Sequence, residues 1–493
     1  MKDALILTLD VGTTSLKGAL IDLSGSLLAL RIQEYALEKP APDRVEVDPE
    51  LYWSSTKKVI AELLAEAAVD PKRIAALGVT GQGETLIVTD ASGRPLRKAL
   101  VWLDNRAVAE AETIKAEFGR DEVYRVTGQQ DIVPGWTAAK ILWLRNHEPD
   151  IFKAAGKFLM VEDYLVFRLT GKYATDHALN SSTLYYDLPH ACWWQRMLDF
   201  LHVSESHLPV LLNSGEAAGT INTDLGLSRT TLVTVAPIDQ ISAAVGAGNI
   251  TAGMVTETTG SAMAICATVG ALVYDPLKRI GLYRHALPGK YVLMPWVPTA
   301  GMVLRWFRDE FEPGTDYPTM TLAASEVPPG CEGLLLLPHL NGMVNPDINP
   351  DARGVFYGIS LSHGRRHFVR AVLESVAYSL RDNLEALAGM EVECTQVLSL
   401  GGAARSDLWL QIKSDVLNRP LSVMENEETT SLGCAVLAAA GTGLYGSLEA
   451  AIQGMVVPSR SVVPNTGNYS IYDAMFKKYR KLNRTLFLAS ADA

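Results

Sequence analysis

The sequence predicts an α/β fold built from two similar domains, residues 1–248 and 249–493. Three observations carry that prediction. A length of 493 residues fits two to four domains at roughly 100–200 residues each. Short strand-like runs alternate with segments of helical periodicity in both halves. Each half also contains the same device: a strand, a tight Gly/Thr/Ser turn and a returning strand.

The elements follow in order. Leu5 to Leu9 is a strand-like run, Asp10-Val11-Gly12-Thr13-Thr14-Ser15 turns the chain, and Leu16 to Asp22 returns. Ser24-Gly25-Ser26 makes a second turn before Leu27 to Leu30. Pro49 to Ala68 is helical, with Trp53, Val59, Ile60, Leu63 and Leu64 at approximate 3–4 spacing. Ala75 to Val79 is a buried strand that ends at Thr80-Gly81-Gln82-Gly83-Glu84, and Leu86 to Thr89 is another. The first hundred residues therefore read β-β-β-α-β-β. In the second half, Met254 to Thr258 leads into Thr259-Gly260-Ser261, and Ala262 to Cys266 returns. Helices are expected over Gly301–Phe311, His367–Leu387, Asp407–Leu417 and Ser431–Ala440. The strand Val397–Leu400 opens into Gly401-Gly402-Ala403-Ala404-Arg405-Ser406. The boundary between halves falls near residues 247–253, and the basic tail Lys477–Arg484 reads as a solvated helix face.

Composition removes several function classes. Hydrophobic residues make up 48% and charged residues 20%, which excludes disorder as the main state. A net charge of −11 argues against broad nucleic-acid or anionic-membrane binding. The five cysteines are scattered and form no Cys-x-x-Cys pair, so neither a disulfide framework nor a zinc site is expected. No apolar run approaches the about 18–20 residues of a membrane span. The run Ala4–Leu9 is too short for a secretory signal, so a cytoplasmic protein is expected.

Three turns have the chemistry to hold phosphate. In the first, Gly12 permits close backbone approach, Thr13, Thr14 and Ser15 add hydroxyl donors, and Lys17 adds charge. Asp10, at a strand end, can hold Mg²⁺ directly or through water. The second turn is Thr259-Gly260-Ser261. The third, Gly401-Gly402-Ala403, precedes a helix N-terminus. Any one of them also fits an ordinary structural turn, and no Walker A loop occurs. Their recurrence at strand ends of matched halves is what favours a nucleotide.

This arrangement resembles the actin, Hsp70 and sugar-kinase superfamily, and within it the chain is similar to the FGGY carbohydrate kinases. That family includes xylulose, ribulose, glycerol, gluconate and erythritol kinases. Gly135-Trp136-Thr137-Ala138-Ala139-Lys140-Ile141-Leu142-Trp143-Leu144-Arg145-Asn146-His147 matches its first signature. Gly354-Val355-Phe356-Tyr357-Gly358-Ile359, then a seven-residue spacer, then His367 to Glu374, matches its second. The resemblance implies two actin-like/RNase H-like ATPase domains with a cleft between them. It implies ATP and Mg²⁺ as cofactors, held by Gly12–Ser15, Lys17, Thr259–Ser261, Gly401–Ala403 and Arg305, with Asp10 on the metal. It makes Asp239 the catalytic base, although an Asp that caps the following helix is a compatible reading.

The resemblance also places Gln82, Glu84, Trp102, Asp104, Asp239 and Gln240 at the substrate. Gln82-Gly83-Glu84 keeps the Gln and the acid of glycerol kinases but lacks their Arg, and it lacks the Met-His pair of xylulose kinases. The segment Val101–Ala107 looks like that of pentulose kinases. The implied reaction is phosphorylation of a terminal hydroxyl on a small sugar, a ketopentose such as xylulose first. A polyol (erythritol- or glycerol-type), ribulose or gluconate is the alternative. The expected partner is a small sugar or polyol, without nucleic acid or membrane, and a homodimer is an admissible assembly. Two rivals are an ATP-driven binding machine and a degenerate kinase homologue that senses sugar.

Overall fold

The computed structural model describes residues 3–488. The strands that position the site are β1 Leu5–Val11, β2 Ser15–Asp22, β3 Leu27–Glu34, β4 Ile74–Gly81, β5 Leu232–Ile238, β6 Met254–Thr259, β7 Met263–Val269, β8 Gln396–Leu400 and β9 Leu421–Met424. The helices are α1 Pro49–Ala67, α2 Val161–Thr170, α3 Asp239–Gly246, α4 Gly301–Phe311, α5 Arg365–Ala388, α6 Asp407–Leu417 and α7 Thr429–Gly441. Helix starts follow local chemistry: Asp48 caps α1 by accepting the Glu50 N–H, with Pro49 in the first turn, and Ser406 caps α6 by accepting the Trp409 N–H.

Two sheets carry the two halves. The first has six strands, ordered Ala217–Thr220, β5, β4, β1, β2, β3. The second runs Leu282–Arg284, Tyr291–Leu293, β7, β6, β8, β9, Pro458–Val462, with Trp296–Val297 added to β7. In the first sheet β1, β4 and β5 are parallel neighbours, and in the second β6, β8 and β9 are. Central parallel strands are covered on both faces, which explains why β1 is buried along its whole length. Helix α1 lies so close to β2 that a Cβ on Gly18 would sit 2.3 Å from Val59. Helix α7 covers the other face, and a Cβ on Gly78 would sit 2.6 Å from the Cys434 sulfur.

The parallel registers align strand ends. Val11 pairs with Gly81, and Gly81 also pairs with Ile238, so β1, β4 and β5 finish on one edge. Thr258 pairs with Leu400 in the same way in the second sheet. Ligands of open α/β sheets bind beyond such carboxyl ends, where backbone groups and loop side chains are unengaged.

The halves touch through α3 and α7. A Cβ on Gly246 would lie 1.9 Å from the Thr429 carbonyl oxygen, and one on Gly433 would lie 1.8 Å from that of Ser242. The two backbones are in contact with no side chain between them.

Helices α4 and α6 coincide with their expected ranges, and α1, α5 and α7 differ by a few residues at their ends. The β-β-β-α-β-β reading omitted three short strands, Glu38–Ala41, Arg44–Val47 and Ala99–Leu100. They belong to a separate five-stranded sheet with Leu86–Thr89 and Lys157–Met160. Strands of two to four residues have too little length for a period-two pattern to register. No helix among the described residues is long and apolar enough to cross a membrane.

Gly433→Ala should force α3 and α7 apart and lower Tm by roughly 2–10 °C, the scale of a core overpacked by one methyl. Gly446→Ala, whose added Cβ meets nothing within 4 Å, should leave Tm unchanged. Thermal unfolding of both variants checks the crossing.

Candidate functional site

The first hairpin is held by its own backbone and by aromatic side chains. The Gly12 N–H donates to the Ser15 carbonyl at 2.9 Å, and the Tyr35 N–H donates to that of Thr14 at 2.9 Å. The Tyr35 hydroxyl donates to the Gly12 carbonyl, and its ring packs edge-on against Tyr52 with centroids 5.4 Å apart. Tyr52 in turn accepts from Gln82 Nε2 at 3.4 Å. The Trp102 indole N–H donates to Thr13 Oγ1 at 2.9 Å. The expected phosphate turn and the expected sugar wall are thus one connected surface.

Three carboxylates converge there because their strands end together. Asp10 is the penultimate residue of β1, Glu84 follows β4, and Asp239 follows β5 and opens α3. Burial pushes the Asp239 carboxyl up to about 8, with the Asp10 and Glu84 carboxylates adding to the rise. Burial raises Glu84 to about 7, opposed by a Ser182 hydrogen bond and the Lys140 charge. Burial raises Asp10 to about 6, opposed by Lys17. The Asp239 Oδ1 accepts the neighbouring Gln240 N–H at 2.6 Å, but Ile238 occupies the cap position and no side chain caps this helix, so Asp239 is its first residue rather than its cap, with a carboxylate that faces the other acids. Glu84 sits at φ 37°, a left-handed conformation that a non-glycine residue adopts at a cost. Lys140 supports this turn from behind, donating to the carbonyls of Glu84 at 3.0 Å and Val101 at 2.8 Å. Burial lowers the Lys140 ammonium to about 7, opposed by the Glu84 and Asp104 carboxylates.

The second and third turns sit side by side. A Cβ on Gly401, itself at φ 78°, would lie 2.9 Å from the Thr259 carbonyl oxygen, so glycine is required there. The Gly301 N–H donates to the Gly260 carbonyl and the Ala300 N–H to that of Ser261, each at 2.9 Å, which brings the start of α4 onto the second turn. Beneath lies a fully buried ion pair: Lys413 Nζ donates to Glu257 Oε1 at 2.7 Å and to Thr259 Oγ1 at 3.0 Å. Such a pair is weak evidence for stability but fixes geometry, because displacing either charge leaves the other buried alone.

Several expected site residues have other duties. Lys17, expected on a phosphate, has its ammonium on Glu428 Oε2 at 2.8 Å, tying the first hairpin's returning strand to the residue before α7. Asp104, expected on the substrate, is fully buried with both oxygens taken: Oδ1 by Arg106, Oδ2 by Arg106 and the Val45 N–H at 2.7 Å. It anchors the segment that carries Trp102. The Thr259 hydroxyl donates inward to Glu257 at 2.6 Å and Thr259 pairs with Met263, so this turn presents the exposed Gly260 and Ser261. Gly401 and Gly402 are exposed, Ala403 is buried behind them, and Arg305 is exposed one turn into α4. Gln82 and Gln240 lie at the strand ends, each with an Oε1 that has no partner among the described residues. The first signature supplies Lys140. The second supplies a buried Arg370–Glu374 pair at 2.8 Å in α5, a scaffold contact rather than a site contact.

Tyr35, Tyr52 and Glu162 also belong to this surface. Nothing in the sequence marks the tyrosines. Glu162-Asp163 reads as two acids opening a helix, where the dipole alone would explain them.

Comparison with known proteins fits this geometry. The N-terminal domain model of the FGGY family of carbohydrate kinases matches residues 5–246, and the C-terminal domain model matches residues 259–442. The chain belongs to the FGGY family of carbohydrate kinases. This FGGY chain is 28% identical over 481 residues to the xylulose kinase of Bacillus subtilis, covering 97% of itself and 96% of that protein. It is 32% identical to the glycerol kinase of Thermococcus gammatolerans, covering 90% of each. Two structures from Lactobacillus acidophilus, a ligand-bound xylulose kinase and a gluconate kinase, each match with a TM-score of 0.91 at 27% identity, over 99% of both chains. The FGGY kinase described here is therefore an ATP-dependent carbohydrate phosphotransferase of mixed α/β, two-domain fold.

A raised carboxyl has a defined kinetic sign. A base acts only when deprotonated, so if Asp239 is that base, kcat/KM measured with both substrates limiting should climb with pH and level off above about 8. A pH–rate profile flat between about pH 6 and 9 would remove Asp239 as the titrating group.

Proposed function

We propose that this kinase transfers the γ-phosphoryl group of ATP to the terminal hydroxyl of a ketopentose, with xylulose the first candidate. The observation that carries the reading is the convergence of Asp10, Glu84 and Asp239 at three parallel strand ends, beside a hairpin joined to Trp102. The relatives named xylulose kinase support the choice of sugar.

Asp239 accepts the proton of the attacking hydroxyl as its oxygen bonds to phosphorus and the bond to the leaving ADP oxygen breaks. Glu84, Gln82 and Gln240 hold the remaining hydroxyls, and Trp102 forms one wall. The backbone of Gly12–Ser15, Thr259–Ser261 and Gly401–Ala403 would hold the nucleotide. The residues fit it: a Cβ on Gly402 meets nothing within 4 Å, so open space lies beside that turn. No group of three or more His, Cys, Asp or Glu gathers as a metal site among the described residues. That suits Mg²⁺, which keeps several waters and phosphate oxygens and needs only one or two carboxylates, here Asp10. ATP with Mg²⁺ supplies the phosphoryl group and the charge neutralisation.

A polyol is the second reading. Gly83 stands at φ 63° between Gln82 and Glu84, so the turn lacks a side chain beside the acid, and the glycerol kinase relative covers 90% of the chain.

Coupled ADP release across pentuloses, polyols and aldonates tests the substrate. Asp239→Asn should keep nucleotide binding and lower kcat by roughly 10²–10⁴-fold with the preferred sugar. Turnover near that of the wild type would remove Asp239 as the base.

A further inference from the structure

Helix α2 enters the site by way of a strand pairing. Lys157–Met160 runs antiparallel to Leu86–Thr89, with Met160 opposite Leu86, so the chain turns into α2 beside the Gln82–Thr85 turn. Glu162 arrives there 2% exposed. Its Oε1 accepts the Gly83 N–H at 3.1 Å, and a Cβ on Gly81 would sit 2.8 Å from that oxygen. Its Oε2 is buried and has no partner among the described residues. Its charged neighbours include Asp239.

An acceptor shut away from water without a donor is costly, and native structures keep one chiefly where something else completes it. Three such atoms gather here, Glu162 Oε2, Gln82 Oε1 and Gln240 Oε1, because Glu162 bonds Gly83 beside Gln82 and lies near Asp239, which bonds Gln240. Glu84 and Asp239 add carboxylates to the same surface. The two lysines of the site are occupied, Lys140 by the carbonyls of Glu84 and Val101 and Lys17 by Glu428. The surface therefore asks for donors, and these two cations are already engaged.

We propose that Glu162 binds the substrate directly, and that with Gln82, Glu84, Asp239 and Gln240 it forms an acceptor wall selecting a neutral, hydroxyl-donating sugar or polyol over an aldonate anion. The inference rests on the sugar-kinase reading above and narrows its substrate class. Hydroxyls complete the orphan oxygens one by one. A carboxylate in their place has no proton to give the Glu162, Gln82 and Gln240 oxygens and adds negative charge to a surface where burial already disfavours it on Glu84, Glu162 and Asp239, which is how a site rejects the wrong ligand.

The test measures ADP release by the purified full chain with D-xylulose, D-ribulose, erythritol, glycerol and D-gluconate, for the wild type, Glu162→Gln and Glu162→Asp. Glu162→Gln keeps an acceptor for Gly83 but turns a donor into the pocket, and Glu162→Asp keeps the charge but withdraws it by one methylene. Both should raise KM for the preferred neutral sugar roughly tenfold. KM for ATP should stay within about twofold, and kcat should fall far less than KM rises. The wild type should prefer that sugar to gluconate by at least about a hundredfold in kcat/KM, and Glu162→Gln should narrow that preference. Unchanged sugar KM in both variants overturns the role of Glu162. Gluconate as the better wild-type substrate overturns the acceptor-wall selection, and this arm needs no variant to fold. If the wild type releases ADP with none of the five, the sugar-kinase reading itself falls and takes this inference with it.

Discussion

The site depends on a contact between two backbones. At Gly246 and Gly433, α3 and α7 approach until a single methyl on either would meet a carbonyl oxygen at under 2 Å. Helix α3 begins with Asp239, and α7 begins one residue after Glu428, the partner of Lys17. The crossing therefore joins the proposed base of the first half to the end of the second sheet's parallel run. Interdigitated side chains would resist rotation, whereas two smooth glycine faces offer a pivot. The half-exposed Lys17–Glu428 pair adds little stability but marks where the strand edges face each other.

Around that pivot, parallel strand ends determine where the chemistry goes. Three neighbouring strands finish in register, so whatever follows each of them shares one space. In this chain acids follow, and the acids repel. Burial holds Asp10, Glu84, Glu162 and Asp239 above ordinary carboxyl values, and neighbouring carboxylates add to the rise at Glu162 and Asp239. A group poised near neutral pH suits proton transfer from an alcohol, and a surface short of donors suits a ligand covered in hydroxyls. The second half contributes differently: its turns are braced from beneath by the Glu257–Lys413 pair and left open above.

Much of this was legible in the chain. The turns expected to hold phosphate, α4, α6 and the strand–turn–strand repeat follow from local patterns, and so do Asp10 and Glu84 as acids after strands. Asp239 comes only from the family resemblance, because the strand before it goes unread in the sequence. Partners distant in sequence were not legible. Lys17 reads as a phosphate cation until Glu428, 411 positions away, takes its charge. Asp104 reads as a sugar ligand until Arg106 and the Val45 N–H, 59 positions back, fill both oxygens. Glu162 draws no functional reading from the sequence, and only the strand pairing that delivers it beneath Gly83 points to its proposed role. The five-stranded sheet escaped because its shortest members carry no periodicity.

A nucleotide touching turns of both halves, with a sugar on the proposed acceptor wall, should draw the halves together about the glycine crossing and exclude water from the phosphoryl group. Small-angle scattering reads that motion without any variant. The radius of gyration should fall when the preferred sugar and a non-hydrolysable ATP analogue are added together, and by more than with either alone. A profile unchanged by the pair, alongside ATP hydrolysis that proceeds equally fast without sugar, would contradict it.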